Sequence, residues 1–413
     1  MDGGGGAEVL VGKTRMACKH ILLAAAVVPL VMVLVGLPRA TARVNIGAAA
    51  AFPRPAALEP NIDFWIKAFT YWSERDFVIH DRDHVWRVYQ KFHMPGRGVP
   101  NREEIEWSNA YLKAKYGDIL NRLATGQQPV GWEEQRVAAM FKGQPPSAYA
   151  QAARNLRVQQ GLCEQFHDAL LRSRYYRPKM EQVFAKAGLP PELVALASVE
   201  SGFSARVRSS AGALGIWQFT RSTGREFLKI TRYRDDRLDP VRSTQAAAEL
   251  LQANYAALGS WPLAITAYNY GTAGTARAAS EYGGDFTKIV QNYNGPHFGF
   301  AVKNYYAEFL AAAQVDRYEN QYFPGIENEA APPPPPSSPI LRRIIHHFRR
   351  HHHPARVKRV ADSHRRSAAA ATHRHHQSRR HTGGLRRAAR ARGADAQRSS
   401  LASAAQERGL IAR

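Results

Sequence analysis

Leu189-Pro190-Pro191-Glu192-Leu193-Val194-Ala195-Leu196-Ala197-Ser198-Val199-Glu200-Ser201 is the stretch from which the fold is read. Paired prolines suit the entry of a helix, and the residues after them are mostly good helix formers. Leu193, Leu196 and Ala197 precede Glu200 by seven, four and three positions. A 3.6-residue period gathers all four on one face, so an apolar stripe ends in a carboxylate. Loss of water disfavours the charged form and lifts its pKa from about 4.3. A proton donor working near neutrality needs such a lift, to about 6–7. Periodicity alone favours the plainer alternative, a glutamate that marks a helix end and reaches water.

The next stretches shift that balance. Gly202-Phe203-Ser204 ends the helix, and Ser209-Ser210-Ala211-Gly212-Ala213-Leu214-Gly215-Ile216-Trp217-Gln218-Phe219 follows. Gly212 and Gly215 let the backbone turn sharply or approach closely. Trp217 and Phe219 are expected to supply flat apolar surface, with the Gln218 amide between them. Sugar rings stack on such faces while their hydroxyls need amides. Ala267-Tyr268-Asn269-Tyr270-Gly271 adds a phenol and an amide at a helix end. Taken singly, each motif reads equally as a core aromatic beside a turn. Asp239-Pro240 is the expected N-cap and first position of a helix running to about Leu258, closed by Gly259. Trp261-Pro262 opens another, through Tyr268. Residues 176–318 carry long apolar stripes at helical spacing. Residues 60–175 also read as mostly helical and aromatic-rich, with Phe77-Val78-Ile79 as one short strand. The expected fold class is mainly α.

The chain's ends have a different composition. Lys13, Arg15 and Lys19 precede the apolar run Ile21 to Leu37, and Ala40-Thr41-Ala42 follows. That is the order of a secretory signal, residues 1–42. The alternative is a retained anchor, for which 17 apolar residues is short. Residues 332–336 are five prolines, within an expected Pro-rich linker at 319–339. Residues 340–413 hold 19 Lys and Arg against three acids, a net +16 of the chain's +23. The basic character therefore belongs mostly to this Arg/His-rich tail, expected to be disordered. Its ten histidines read as solvated rather than as a metal site. Of two cysteines, Cys18 and Cys163, the second is left unpaired by signal cleavage and reads as a buried small hydrophobe. A disulfide scaffold is excluded.

Glu200-Ser201, Gly212-Ala213-Leu214-Gly215-Ile216-Trp217-Gln218 and Ala267-Tyr268-Asn269, in that order, resemble the motifs of the lytic transglycosylases with a goose-lysozyme-like catalytic domain. Ile216-Trp217-Gln218 with Ser222-Thr223-Gly224-Arg225 is similar to the membrane-bound type D subgroup. The likeness covers roughly 176–318. Weaker likeness lies upstream at Asn61-Ile62-Asp63-Phe64-Trp65 and Val78-Ile79-His80-Asp81. The resemblance implies a lysozyme-like helical domain that cuts the MurNAc–GlcNAc β-1,4 bond of peptidoglycan. The muramyl 6-hydroxyl closes onto its own C1, and Glu200 serves as acid and then base. It implies substrate contacts by Ser209, Gln218, Tyr268, Asn269 and Tyr305, with no cofactor and no metal. Tyr306 is a register alternative to Tyr305. Many relatives carry a Glu-Thr pair upstream of that tyrosine; this chain reads Phe300-Ala301-Val302-Lys303-Asn304-Tyr305. Glu226 and Glu308 are acids outside the motifs that folding could bring near.

The expected layout is a signal at 1–42, a helical N-terminal region at 43–175, the catalytic domain at 176–318, the linker and the tail. Expected partners are peptidoglycan glycan strands and, through the tail, anionic envelope polymers. Specific nucleic acid is not expected, and membrane contact only through an uncleaved N-terminal segment. The expected location is the periplasm or cell envelope. Two rival readings are a hydrolytic muramidase on the same fold and a wall-binding protein without catalysis.

Overall fold

The structure, a computed structural model, describes residues 52–332. The secretory segment, the basic tail and nearly all of the proline run lie outside the described residues. The fold is mainly α, with thirteen α-helices and one small sheet among the described residues.

Helix α1 (Glu59–Thr70) carries Pro60 in its first turn and buries Ile62, Phe64, Trp65, Ala68 and Phe69. Strands β1 (Asp76–Asp81) and β2 (Val88–His93) follow. Helix α2 (Arg102–Ala124) starts at a capping box. The Asn101 side chain accepts from the Glu104 N–H, and the Glu104 carboxylate accepts from the Asn101 N–H. Two of the unpaired donors at the helix start are thereby satisfied. Helices α3 (Gly131–Ala139) and α4 (Pro146–Arg154) lead to β3 (Leu156–Gln160). The sheet order is β2-β1-β3, both pairings antiparallel, with β1 central and wholly buried. Side chains alternate across a strand, and β1 uses the alternation to serve two cores. Phe77 and Ile79 join Leu112, Tyr116 and Leu120 of α2 in a small core. Val78 joins the large core, and the His80 ring packs on Phe64 and Phe300 from that side.

The large core is built by α1, α5 (Cys163–Lys186), α6 (Leu196–Ser201), α7 (Arg221–Phe227), α8 (Pro240–Leu258), α9 (Trp261–Tyr270), α10 (Thr272–Glu281), α11 (Phe286–Asn292) and α12 (Phe300–Arg317). Helix α12 is its axis. Its buried residues run from Phe300 to Val315 and cover most of its circumference, as expected of a helix enclosed by others. Helix α1 lies along it, where Asn61 Nδ2 donates to Asn304 Oδ1 at 3.0 Å and the Trp65 indole N–H donates to the same oxygen at 3.3 Å. Cys163 is buried, its thiol directed at the Thr70 carbonyl.

Three expectations need correction. The region before 175 is mostly helical, but its one expected strand, within 76–81, is joined by two more, 88–93 and 156–160, in a sheet. The division at 175/176 falls inside the continuous helix α5, and α1 packs in the same core as α12. The packed chain also runs past 319. Helix α13 (Glu319–Tyr322) and a short 3-10 turn at Ile326–Asn328 bury Phe323 and Ile326. Arg174 fastens that turn through the carbonyls of Ile326 and Glu329. An apolar residue on each turn gives this segment a core to join, so its start does not behave as linker.

Candidate active site

Pro191–Ala195 form a 3-10 turn, and α6 continues from it for six residues. Leu193, Leu196 and Ala197 are buried, as the spacing predicts. Gly202 ends the helix in the left-handed conformation at φ 54°. Phe203 follows at φ 56° although it has a side chain. Its N–H returns to the Ala197 carbonyl at 3.1 Å. This closure fixes where Glu200 sits, in the last turn of α6.

Glu200 keeps part of its surface open while protein surrounds it closely. The carboxyl is therefore desolvated without being wholly closed off from solvent. Burial raises its pKa to about 7, against an opposing pull from the Tyr305 hydroxyl, which donates a hydrogen bond to Oε1. Tyr305 thus occupies one of the two carboxyl oxygens. Burial, then the neighbouring Glu200, hold the phenols of Tyr268 and Tyr305 well above the ordinary tyrosine value. Both therefore remain donors at any physiological pH. Tyr306, the register alternative, turns away and donates to the Pro53 carbonyl at 2.9 Å.

The glycine loop lies beside this group. Gly215 has φ +83°, and a Cβ there would lie 2.0 Å from the Arg237 carbonyl oxygen. Only glycine fits. Gln218 is strained at φ 46°, and its amide nitrogen donates to the carbonyls of Val207 and Gly215 at 3.2 and 2.8 Å. The Gln218 side-chain oxygen is left for outside contacts. Ser209 accepts from the Ala213 N–H at 3.0 Å and so braces its own turn. The Tyr268 hydroxyl donates to the Trp217 carbonyl at 2.8 Å, tying the loop to α9. Asn269 lies next to it, half-buried.

The expectation that Trp217 and Phe219 offer sugar-stacking surface is overturned. Both are buried. The Trp217 indole donates to Thr244 Oγ1 on α8 at 2.9 Å, and its ring packs on Phe184. The turns at Gly212 and Gly215 direct these rings into the core and leave Gln218 toward the outside. Glu226 is exposed on α7, whereas Glu308 is fully buried one turn beyond Tyr305.

Sequence reasoning missed Arg237. It is buried, forms a two-pronged pair with Asp235, and donates to the carbonyls of Gly212 and Phe219. It clamps both ends of the glycine loop. The signal was the run Asp235-Asp236-Arg237, an arginine that neighbouring acids could neutralise on burial.

No cluster of His, Cys, Asp or Glu suited to a metal occurs among the described residues. No described helix is long and apolar enough to cross a membrane.

Two curated relatives, the membrane-bound lytic murein transglycosylase D of Escherichia coli K12 and that of Escherichia coli O6:H1 CFT073, are each 44% identical over 107 residues. The match covers 25% of this chain and 24% of theirs, so the chain spans about a quarter of the relatives it matches. Among solved structures, an inactive mutant of the lytic transglycosylase Slt from Pseudomonas aeruginosa matches with a TM-score of 0.31 at 16% identity. It covers 53% of this chain and 36% of that one. The family described as Transglycosylase SLT domain matches residues 181–290, a span that holds Glu200, the glycine loop, Tyr268 and Asn269. Residues 181–290 of this chain are thus similar to the family described as Transglycosylase SLT domain.

Proposed function

We propose that the chain is a peptidoglycan lytic transglycosylase of the cell envelope, with a lysozyme-like catalytic region that leaves a 1,6-anhydro-MurNAc end. The observation that carries this reading is Glu200: a half-buried carboxyl, protonated up to about pH 7 and held at one oxygen by Tyr305.

The reaction needs one such group. Glu200 Oε2–H gives its proton to the glycosidic oxygen, and the bond from that oxygen to the muramyl C1 breaks. The muramyl 6-hydroxyl oxygen bonds to C1 on the same sugar. The Glu200 carboxylate then takes the hydroxyl proton and returns to its starting state. Restricted water favours the neutral acid before the first transfer. The Tyr305 hydrogen bond offsets the charge that appears after it. One carboxyl serves both transfers, so the second acid of an ordinary glycosidase is not required. Ser209, Gln218, Tyr268 and Asn269 are assigned to the walls of the glycan cleft. Tyr268 acts also by holding the glycine loop. The basic tail is assigned to anionic envelope polymers, which it would attract in a salt-sensitive way.

The test is the mass of muropeptides released from purified sacculi. Anhydro ends, lighter by one water than hydrolysed ends, are the expected product. Reducing ends would show a hydrolytic muramidase, and binding without release would show a non-catalytic wall protein.

A further inference from the structure

Each of the three residues after Glu200 is held by a different contact. Ser201 is buried, and its hydroxyl donates to the Ile216 carbonyl of the glycine loop at 2.8 Å. Gly202 is buried, and its carbonyl accepts from Arg172 Nε of α5 at 2.7 Å. The Phe203 ring is fully buried, and the guanidinium of Arg177, also of α5, lies 5.5 Å from its centre. Arg177 is in turn paired with Asp316 of α12 and, at 3.7 Å, with Glu181.

The backbone here needs such support. Helix α6 has six residues, too few to hold a helical shape unaided. Gly202 and then Phe203 take the left-handed conformation, which is unfavourable for a residue with a side chain. Strain of this kind persists only where the surroundings over-determine it, and it gathers at functional sites. A buried carbonyl also requires a donor, and Arg172 supplies a charged one. Its guanidinium lies against the glycine: a Cβ at Gly202 would sit 3.0 Å from Arg172 Nη2 and 3.3 Å from Ala169 Cβ. The ion pair of Arg172 with exposed Asp168 is loose, at 3.9 Å, so the carbonyl is the firmer contact. Helix α5 thus grips α6 through Arg172 and α12 through Arg177 and Asp316. Those two helices carry Glu200 and Tyr305.

We propose that Arg172 is a positioning residue for the reacting acid: by fixing the Gly202 carbonyl from α5 it holds the last turn of α6, and with it the Glu200 carboxyl, where the Tyr305 hydroxyl donates to it. Arg172 acts through the backbone of residues 202 and 203. The proposal rests on Glu200 as the reacting acid. A displacement of about 1 Å at a reacting group costs about 10²-fold in rate.

The experiment uses the full chain as parent, Arg172→Met, Arg172→Lys and Arg174→Met. Methionine keeps an unbranched stem and loses the donor. Arg174 is the control, since it also donates from α5 to backbone carbonyls, those of Ile326 and Glu329, away from α6. Glycan release is measured against sacculus concentration, below the melting range of each protein. Arg172→Met is expected to lower the saturated rate by about 10²-fold with the half-saturating concentration unchanged. Arg174→Met should keep the parent's rate even where its melting temperature falls. A parent-like rate in folded Arg172→Met overturns the proposal. An equal loss in Arg174→Met also overturns it, because the effect would then be one of stability. Lysine returns a donor without the flat guanidinium, so Arg172→Lys should lie between parent and Arg172→Met. If the methionine variant fails to fold, a parent-like rate in Arg172→Lys overturns the proposal. A parent that releases nothing would sink the proposed function instead, and the placement of Glu200 is then read by NMR titration of its labelled carboxyl, assigned with Glu200→Gln. The midpoint should fall by about one unit in Arg172→Met as the carboxyl gains water, and an unchanged midpoint overturns the proposal.

Discussion

Replacing Glu200 by Gln should inactivate the protein and yet stabilise it, by an amount that depends on pH. The folded-state pKa of Glu200 is about 7 against an ordinary 4.5. Folding therefore favours the protonated form. The stability linked to that proton is fully present below the unfolded pKa and is lost as pH rises through the folded value. The gap between the two values converts, at about 1.36 kcal/mol per unit, to roughly 3 kcal/mol. Water on the open side of the cleft reduces this, so a loss of about 2–3 kcal/mol is expected between about pH 4 and pH 8. An amide never ionises and avoids that loss. Urea unfolding of Glu200→Gln and parent should coincide near about pH 4, with the variant more stable by about 2–3 kcal/mol near pH 8. The comparison should be read from midpoints at unchanged slope. A difference that is constant with pH, or a variant less stable at pH 8, would refute the claim that a carboxyl is held neutral in this cleft.

Tyr305→Phe removes the hydrogen bond that favours ionised Glu200. Such bonds contribute about 1.5–3 kcal/mol, so the alkaline limb of the pH–rate profile should move upward by about one to two units; a downward move would contradict the assigned role. Gly215→Ala places a Cβ 2.0 Å from the Arg237 carbonyl at φ +83°. It should destabilise the fold by about 3 kcal/mol or more, read from thermal melts, and an unchanged melting temperature would show the loop is not clamped as described. Deletion of residues 332–413 should weaken sacculus binding at low salt, with the difference vanishing at high salt. Equal binding at low salt would remove the tail's proposed role.

The local signals were legible in the sequence. The Asp239 side chain accepts from the N–H groups of Val241 and Arg242, Pro240 opens α8, and Gly259 closes it at φ 73°. Each follows from the chemistry of its own residue. The apolar stripe ending at Glu200 is equally local. What escaped depended on distant partners. β2 and β3 are held by pairing to either side of β1; Val88–His93 shows little alternation of its own, and Leu156–Gln160 alternates over only four residues. The aromatic pair around Gln218 carried the right residue types, but loop geometry sets which way they face. Trp217 went inward to Thr244 because the glycine turns sent it there. The supposed division at 175/176 followed a change in composition that helix α5 ignores.

The central claim is that one proton on Glu200 drives glycan cleavage. Its most direct measurement is the rate of muropeptide release by Glu200→Gln against the parent, at a pH near 6 where the acid is neutral. Loss of a positioned acid and base predicts a fall of about 10²–10⁴-fold with sacculus binding retained. Release at the parent's rate by the folded variant would contradict the account.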